Sequence, residues 1–256
     1  MATFIINTVL LEKNRWEPGR VPTIKVSEWM KDFRRDGFSG VELWENHALK
    51  ASEEETRQLK NAILPVDVFN SYAGFEDEKE QERKETAEMV RKLGASNVKF
   101  NIGADENKRD TYVKNVLEWK EQLPSGCMLL CECHSGTLME DPQTAAQVFN
   151  EWGSNQFGAI LHPFHAHTDL DSWFAHLGST IVHAHVSLYA DGAFQLLEEQ
   201  PELVKERVRK LKKAGFDGTY SMEFTKGTAL EREIPMMLYE NALKDMDFLS
   251  TCLKEV

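Results

Sequence analysis

The alternation of apolar segments along the chain predicts an α/β fold, a single (β/α)8 TIM barrel. Short β-branched runs alternate strictly with longer amphipathic segments, eight of each. Such alternation implies parallel strands joined by helical crossovers. Eight units in 256 residues match one barrel, typically about 250 residues, better than an open doubly wound sheet. Length alone also admits two smaller domains. No glycine-serine linker or low-complexity tract divides the chain, so residues 1–256 are read as one domain.

In chain order, the first strand is read at Thr3–Leu10 and the first helix at Ile24–Asp36, closed by Gly37. Strand Gly40–Trp44 leads to helix Ser52–Asn61, and Leu64–Asn70 to Glu76–Leu93, closed by Gly94. Asn97–Ile102 precedes Arg109–Leu123, Cys127–His134 precedes Asp141–Trp152, and Phe157–His162 precedes Asp169–Leu177. Thr180–Ser187 and Pro201–Ala214, closed by Gly215, form the seventh unit; Gly218–Phe224 and Pro235–Leu253 form the eighth. Glycine past a helix end takes the left-handed cap conformation, and the prolines after Asp141 and Gln200 suit a first helical turn. The charge run Glu76–Glu88 reads as a solvated helix face. Arg34–Gly40 echoes Lys212–Gly218, each leading into a strand with a glutamate, Glu42 or Glu223, as repeated barrel units would.

Composition narrows the function classes. With 28% charged and 41% hydrophobic residues the chain has an ordinary globular makeup. Its net charge of −12 and lack of a basic stripe argue against a nucleic-acid partner. No apolar run reaches membrane-spanning length, so no membrane partner is expected. The N-terminus lacks the features of a signal peptide, which makes the cytoplasm the expected location. The four cysteines, Cys127, Cys131, Cys133 and Cys252, form neither a zinc-ribbon pattern nor a disulfide scaffold. Whether the chain forms a homo-oligomer stays open.

Side chains alternate between the two faces of a strand, and in a barrel one face looks inward. On the fifth strand Leu129, Cys131 and Cys133 share the helix-facing parity, which turns Glu132 and His134 inward. The same argument turns Glu42 and Trp44 inward on the second strand and Lys99 and Asn101 on the fourth. On the eighth it turns Ser221 and Glu223 inward. On the seventh, His183 and His185 share the face opposite Val182, Ala184 and Val186. These polar residues gather at the carboxyl ends of their strands, where catalytic residues of such barrels arise. Charges inside a core are costly unless paired or bound to metal. Carboxylates and imidazoles converging on one mouth therefore point to one divalent metal ion, with Mn, Co, Fe or Zn suited better than Ca.

The motifs on these strands resemble the xylose-isomerase-like sugar phosphate isomerase/epimerase superfamily over essentially the whole chain. Gly37-Phe38-Ser39-Gly40-Val41-Glu42-Leu43 resembles the family's glutamate strand, and Leu130-Cys131-Glu132-Cys133-His134 the strand carrying its first metal glutamate. His183-Ala184-His185-Val186-Ser187 resembles its metal-histidine strand, and Gly218-Thr219-Tyr220-Ser221-Met222-Glu223 its final metal glutamate. Two departures stand out. His162 occupies the place of an aspartate in Leu161-His162-Pro163-Phe164-His165, and Ser187-Leu188 stands where lysine and aspartate are usual. The resemblance implies a metal set of Glu132, His162, His185 and Glu223, with Mg added to the candidate ions. It implies a small-molecule carbohydrate substrate touched by Glu42, Trp44, His47, Lys99, Asn101, His134 and His165.

Each assignment has an ordinary alternative. Glu132 and Glu223 can form a buried salt bridge with Lys99 or an arginine, and His185 can be a hydrogen-bonded core histidine. His183 lies one layer deeper and reads as core or as support for a ligand. Glu42 pairs with substrate or with Lys99. His47 can be a surface residue, and Trp44, Phe164 and Trp173 an apolar wall or plain packing. Cys131 and Cys133 read as core. The resemblance implies an isomerase or epimerase that moves a proton through an enediolate, with Glu132 and Glu223 as the acid/base pair. A keto-inositol dehydratase uses the same logic and stays as an alternative, as does a sugar-binding barrel without catalysis. A phosphodiesterase of the apurinic-endonuclease type would need a multinuclear zinc site and a DNA-binding face, against which the net charge argues.

Overall fold

The computed structural model describes residues 2–255. Eight parallel strands close into a barrel: β1 Thr3–Asn7, β2 Gly40–Trp44, β3 Val66–Asn70, β4 Asn97–Phe100, β5 Met128–Glu132, β6 Phe157–Leu161, β7 Ile181–Val186 and β10 Thr219–Met222. Closure comes from β1, which pairs with β2 on one side and with β10 on the other, Ile5 lying opposite Gly40 and Ser221. Between β7 and β10 the chain makes an antiparallel hairpin, β8 Leu188–Ala190 and β9 Ala193–Gln195. Around the barrel run α1 Met30–Arg35, α2 Asn46–Leu49, α3 Glu53–Lys60, α4 Glu80–Leu93, α5 Arg109–Lys120, α6 Pro142–Trp152, α7 Leu170–Leu177, α8 Pro201–Lys213 and α9 Pro235–Glu255. Among the described residues no helix is long and apolar enough to cross a membrane.

Strand parity sorts the core into two parts. Val41, Leu43, Val98, Phe100, Leu129, Cys131, Tyr220 and Met222 point outward and pack with the helices in one continuous core. A smaller core of Ile5, Val68, Leu130 and Ile160 fills the barrel, with Met128 and Val182 packed against it. The barrel is thus plugged by apolar side chains below its polar mouth. All four cysteines are buried and unpaired.

The eight predicted helices and strands are present, and their ends differ for local reasons. The first strand stops at Asn7 because its side chain accepts from the Val9 amide and winds Thr8–Leu11 into a 3-10 turn. The first helix is split, with a 3-10 turn over Val26–Glu28 ahead of α1. Asp141 caps α6 through the Thr144 amide at 2.8 Å, with Pro142 in the first turn. Gly94 ends α4 at φ +73°. The hairpin and α2 have no counterpart in the sequence reading; the hairpin turns on Asp191-Gly192, both at positive φ, the pair favoured in tight two-residue hairpin loops.

A candidate metal centre at the barrel mouth

Four neighbouring strands bring the site together. Glu132 is the last residue of β5, His162 follows β6, His185 lies in β7 and Glu223 follows β10. In the sheet these strands stand side by side in the order β10, β7, β6, β5. One potential ligand atom from each of the four residues lies within 4.8 Å of all the others. The side chains are nearly out of reach of solvent, at 5% exposure for Glu132 and Glu223, 8% for His162 and none for His185.

The contacts within the cluster are short. His162 Nε2 is 2.9 Å from Glu132 Oε1, and His185 Nδ1 is 3.1 Å from the same oxygen and 3.2 Å from Glu223 Oε1. Glu132 Oε2 accepts from Lys99 Nζ at 2.8 Å and from Asn101 Nδ2 at 2.8 Å, and Lys99 also donates to Asn101 Oδ1. Burial pushes the Glu132 carboxyl up, but Lys99, His162 and His185 outweigh it and hold the group well below the usual carboxylate range. Glu132 is therefore a fixed anion.

A layer beneath fixes His185. Its Nε2 lies 3.1 Å from Glu42 Oε1, and Glu42 Oε2 lies 3.1 Å from His183 Nε2. His183 Nδ1 in turn meets the Thr219 hydroxyl. With Nε2 of both histidines held by Glu42, Nδ1 of His185 faces the carboxylates at the mouth, where it donates to them in the absence of an ion and is aimed as a ligating histidine is when a carboxylate holds its other nitrogen. Burial disfavours the Glu42 anion, yet His185 and His183 outweigh it and lower its pKa far below normal. Burial also disfavours the His185 cation, and Glu223, Glu42 and Glu132 outweigh that and raise its pKa well above normal.

The fit to a cation is tested by what the cluster leaves unsatisfied. His162 Nδ1 and Glu223 Oε2 are buried without a hydrogen-bond partner, and they face each other at 3.5 Å. Buried polar atoms are seldom left unpaired. Two carboxylates and two imidazoles are also the donor mix that divalent transition metals accept. The residues present fit such an ion.

The other predicted site residues divide into two groups. His134 is exposed at the mouth with its ring 5.8 Å from that of His162, and His165 stacks on His162 at 4.7 Å. His165 Nε2 lies 2.9 Å from Ser187 Oγ; burial, then the neighbouring imidazoles, pushes its pKa down to about 2, so the ring is neutral. Lys99 and Asn101 sit against Glu132. Glu42, by contrast, is fully buried beneath the mouth, with the two histidines rather than Lys99 as its hydrogen-bond partners. Trp44 and His47 meet edge to face in the interior, and both His47 nitrogens are engaged, with Thr8 Oγ1 at 2.9 Å and Glu12 Oε1 at 2.8 Å. The loop after β1 explains this burial, since Glu12 folds inward and accepts from the Thr23 and Ile24 amides. The surface alternative for His47 is thereby corrected. Phe164 is wholly buried, while Trp173 lines a cavity of about 470 Å³ beside His162. That cavity also has Tyr189 and Phe194 of the hairpin in its wall, two residues the sequence reading passed over.

The family model described as xylose isomerase-like TIM barrel matches residues 30–251. The chain belongs to that family. Among solved members of the same fold, L-ribulose 3-epimerase superposes with a TM-score of 0.73 at 13% identity, covering 100% of this chain and 95% of the other. The probable 3-DHS dehydratase AsbF from Bacillus anthracis gives 0.69 at 16% identity, covering 98% and 99%. The IOLI protein with a bound zinc atom gives 0.69 at 16%, covering 99% and 98%. At these identities the likeness establishes the fold alone. No curated protein sequence matches the chain.

Proposed function

We propose that this chain is a divalent-metal-dependent isomerase or epimerase that moves a proton on a keto sugar through an enediolate. The observation that carries the reading is the buried set of Glu132, His162, His185 and Glu223 with two unsatisfied atoms, His162 Nδ1 and Glu223 Oε2, facing each other at the mouth. Family membership supports a metal-assisted reaction of this type, since the similar folds include an L-ribulose 3-epimerase and a zinc-bearing barrel. The dehydratase AsbF in the same group keeps water loss as the second reading.

Those four side chains would hold the ion, which when bound supplies stabilisation of negative charge developing on the substrate oxygens. The protein's own groups then divide the remaining work. Glu223 has one oxygen beside His185 and the other 3.5 Å from His162 Nδ1 without a hydrogen bond, so it is the less engaged of the two glutamates and the better placed to take a proton from carbon. Glu132 has both oxygens engaged, by Lys99 and Asn101 on one and by His162 and His185 on the other. It can return a proton only by loosening that network. Exposed His134 and neutral His165 stand where substrate hydroxyls would meet them. Proton return to the same carbon on its other face gives epimerisation, and return to the adjacent carbon gives isomerisation.

The test is uptake of solvent deuterium into keto sugars by protein loaded with Mn, Co or Zn, with bound metal measured in each sample. Glu223→Gln should lower exchange by about a hundredfold or more, the scale of a positioned general base, and Glu132→Gln should lower it as well. Wild-type exchange rates in both variants at full occupancy would place the base elsewhere. Release of water from a keto-inositol, with no exchange on any keto sugar, would select the dehydratase.

A further inference from the structure

We propose that the substrate is an uncharged sugar bearing a further substituent beyond the carbons that react, and that this substituent sits in the cavity between α6, α7 and the β8–β9 hairpin. The inference rests on the proposed function and extends it to substrate class. The cavity and the metal centre share His162, so a molecule reacting at the centre has one continuous path outward to Ser172 and Trp173 on α7. At about 470 Å³ the space falls within the range of sites that enclose whole small molecules rather than a single functional group.

The lining decides the charge of the occupant. It contains no lysine or arginine, and its carboxylates are Glu140 and Asp169. The first turns of α6 and α7 both come up to this region, and a free helix N-terminus is a natural place for a phosphate. Here both are already closed by carboxylates: Asp141 Oδ1 takes the Thr144 amide at 2.8 Å, and Asp169 Oδ1 takes the Ser172 amide at 3.2 Å. The cations of α8 stay outside the lining. Arg207 donates to the carbonyls of Thr168 and Ala166, and Lys210 pairs with Asp171. A phosphate ester carried into this cavity would thus bring its charge against Glu140 and Asp169 with no lysine or arginine in the wall to offset it, a juxtaposition that discriminates between ligands. The wall also carries four histidines, His134, His162, His165 and His167, and three aromatic side chains. Tyr189 and Phe194 meet at 5.1 Å and 65°, and Trp173 also lines the cavity. Flat aromatic faces receive the C–H face of a second sugar ring or an apolar aglycone.

The experiment compares three compounds on the metal-loaded, full-length protein: a free keto-hexose, its phosphate ester, and a keto-glycoside with an aryl substituent. Deuterium exchange gives kcat/KM, and calorimetric titration gives affinity. The glycoside is expected to exceed the free sugar in kcat/KM, and the ester to fall below it, each by about tenfold, a difference of one well-placed contact. Tyr189→Ala and Phe194→Ala should each shrink the glycoside-to-free-sugar ratio by a similar factor. Ser172→Arg should raise kcat/KM for the ester. An ester as good as or better than the free sugar, or a glycoside with no advantage, overturns the proposal. If none of the three exchanges deuterium yet the glycoside binds and the ester does not, the substrate class stands and the epimerase reading falls. If none of them binds, the substrate class is overturned.

Discussion

At the scale of single residues, Glu42 is the side chain whose role changes most between sequence and structure. Strand parity turns it inward, and the barrel then places it under the mouth, between His183 and His185. There its Oε1 holds Nε2 of His185 and its Oε2 holds His183, which leaves Nδ1 of His185 toward Glu132 and Glu223. Glu42→Gln keeps the shape but removes the anion, and its amide nitrogen would oppose one of the imidazole donors. Affinity for Mn or Zn should fall about tenfold to a hundredfold, the usual effect of losing a partner behind a ligating histidine. Competition with a chelating dye measures it, and the imidazole proton resonances of His185 report the tautomer directly. Unchanged affinity and unchanged resonances would reduce Glu42 to a packing residue. Parity found this residue; its depth was hidden. Glu42 lies level with Asn7 and Val68 in a closed sheet with a register irregularity at Val41/Glu42, and that level depends on the stagger of the neighbouring strands.

At the scale of elements, the seam between β7 and β10 is set by a close approach of backbones. A Cβ on Gly218 would stand 2.1 Å from the Val182 carbonyl oxygen, and backbone atoms of a paired strand cannot yield as a flexible side chain can. Gly94 differs, since a Cβ there meets nothing within 4 Å and only its positive φ resists substitution. Gly218→Ala should therefore cost more than Gly94→Ala: about 2–3 kcal/mol or more for strain inside the sheet against about 1–2 kcal/mol for a left-handed residue at a helix end. Urea unfolding of the two variants checks the order, and equal losses would contradict the clash. Elements with many repeats of their period were legible: α4, α6 and α8 follow their predicted ranges closely. The hairpin was not. Its strands have three residues each, too few for alternation to register, and its single local signal was Asp191-Gly192. The 3-10 turn after β1 was missed for a similar reason, since Asn7 continues the apolar run in composition and ends it by a side-chain hydrogen bond.

At the scale of the whole molecule, the candidate centre ties together half of the barrel wall. Its four residues come from β5, β6, β7 and β10, consecutive around the sheet, and β10 is also the strand that closes the barrel onto β1. Without an ion the mouth holds Glu132 and Glu223 above Glu42, with Lys99 beside Glu132 and His185 between the carboxylates. That arrangement admits the plain alternative of a buried ion-pair network, and thermal stability separates the two. An ion that binds the native chain and not the unfolded one stabilises it by about 4 kcal/mol at a thousandfold excess over its Kd. In a chain of this size 1 kcal/mol moves Tm by about 2–4 °C, so saturating Mn, Co or Zn should raise Tm by about ten degrees over protein stripped with chelator. The rise should vanish when Glu132 and Glu223 are both changed to glutamine, because the two anionic donors are gone, whereas Gly94→Ala should lower Tm and leave the rise intact. Calorimetric scans with chelator and with each metal read this directly. If the stripped and loaded proteins melt at the same temperature, and the double variant melts no differently in the presence of metal, the cluster is an ion-pair network and the barrel holds no ion at this mouth.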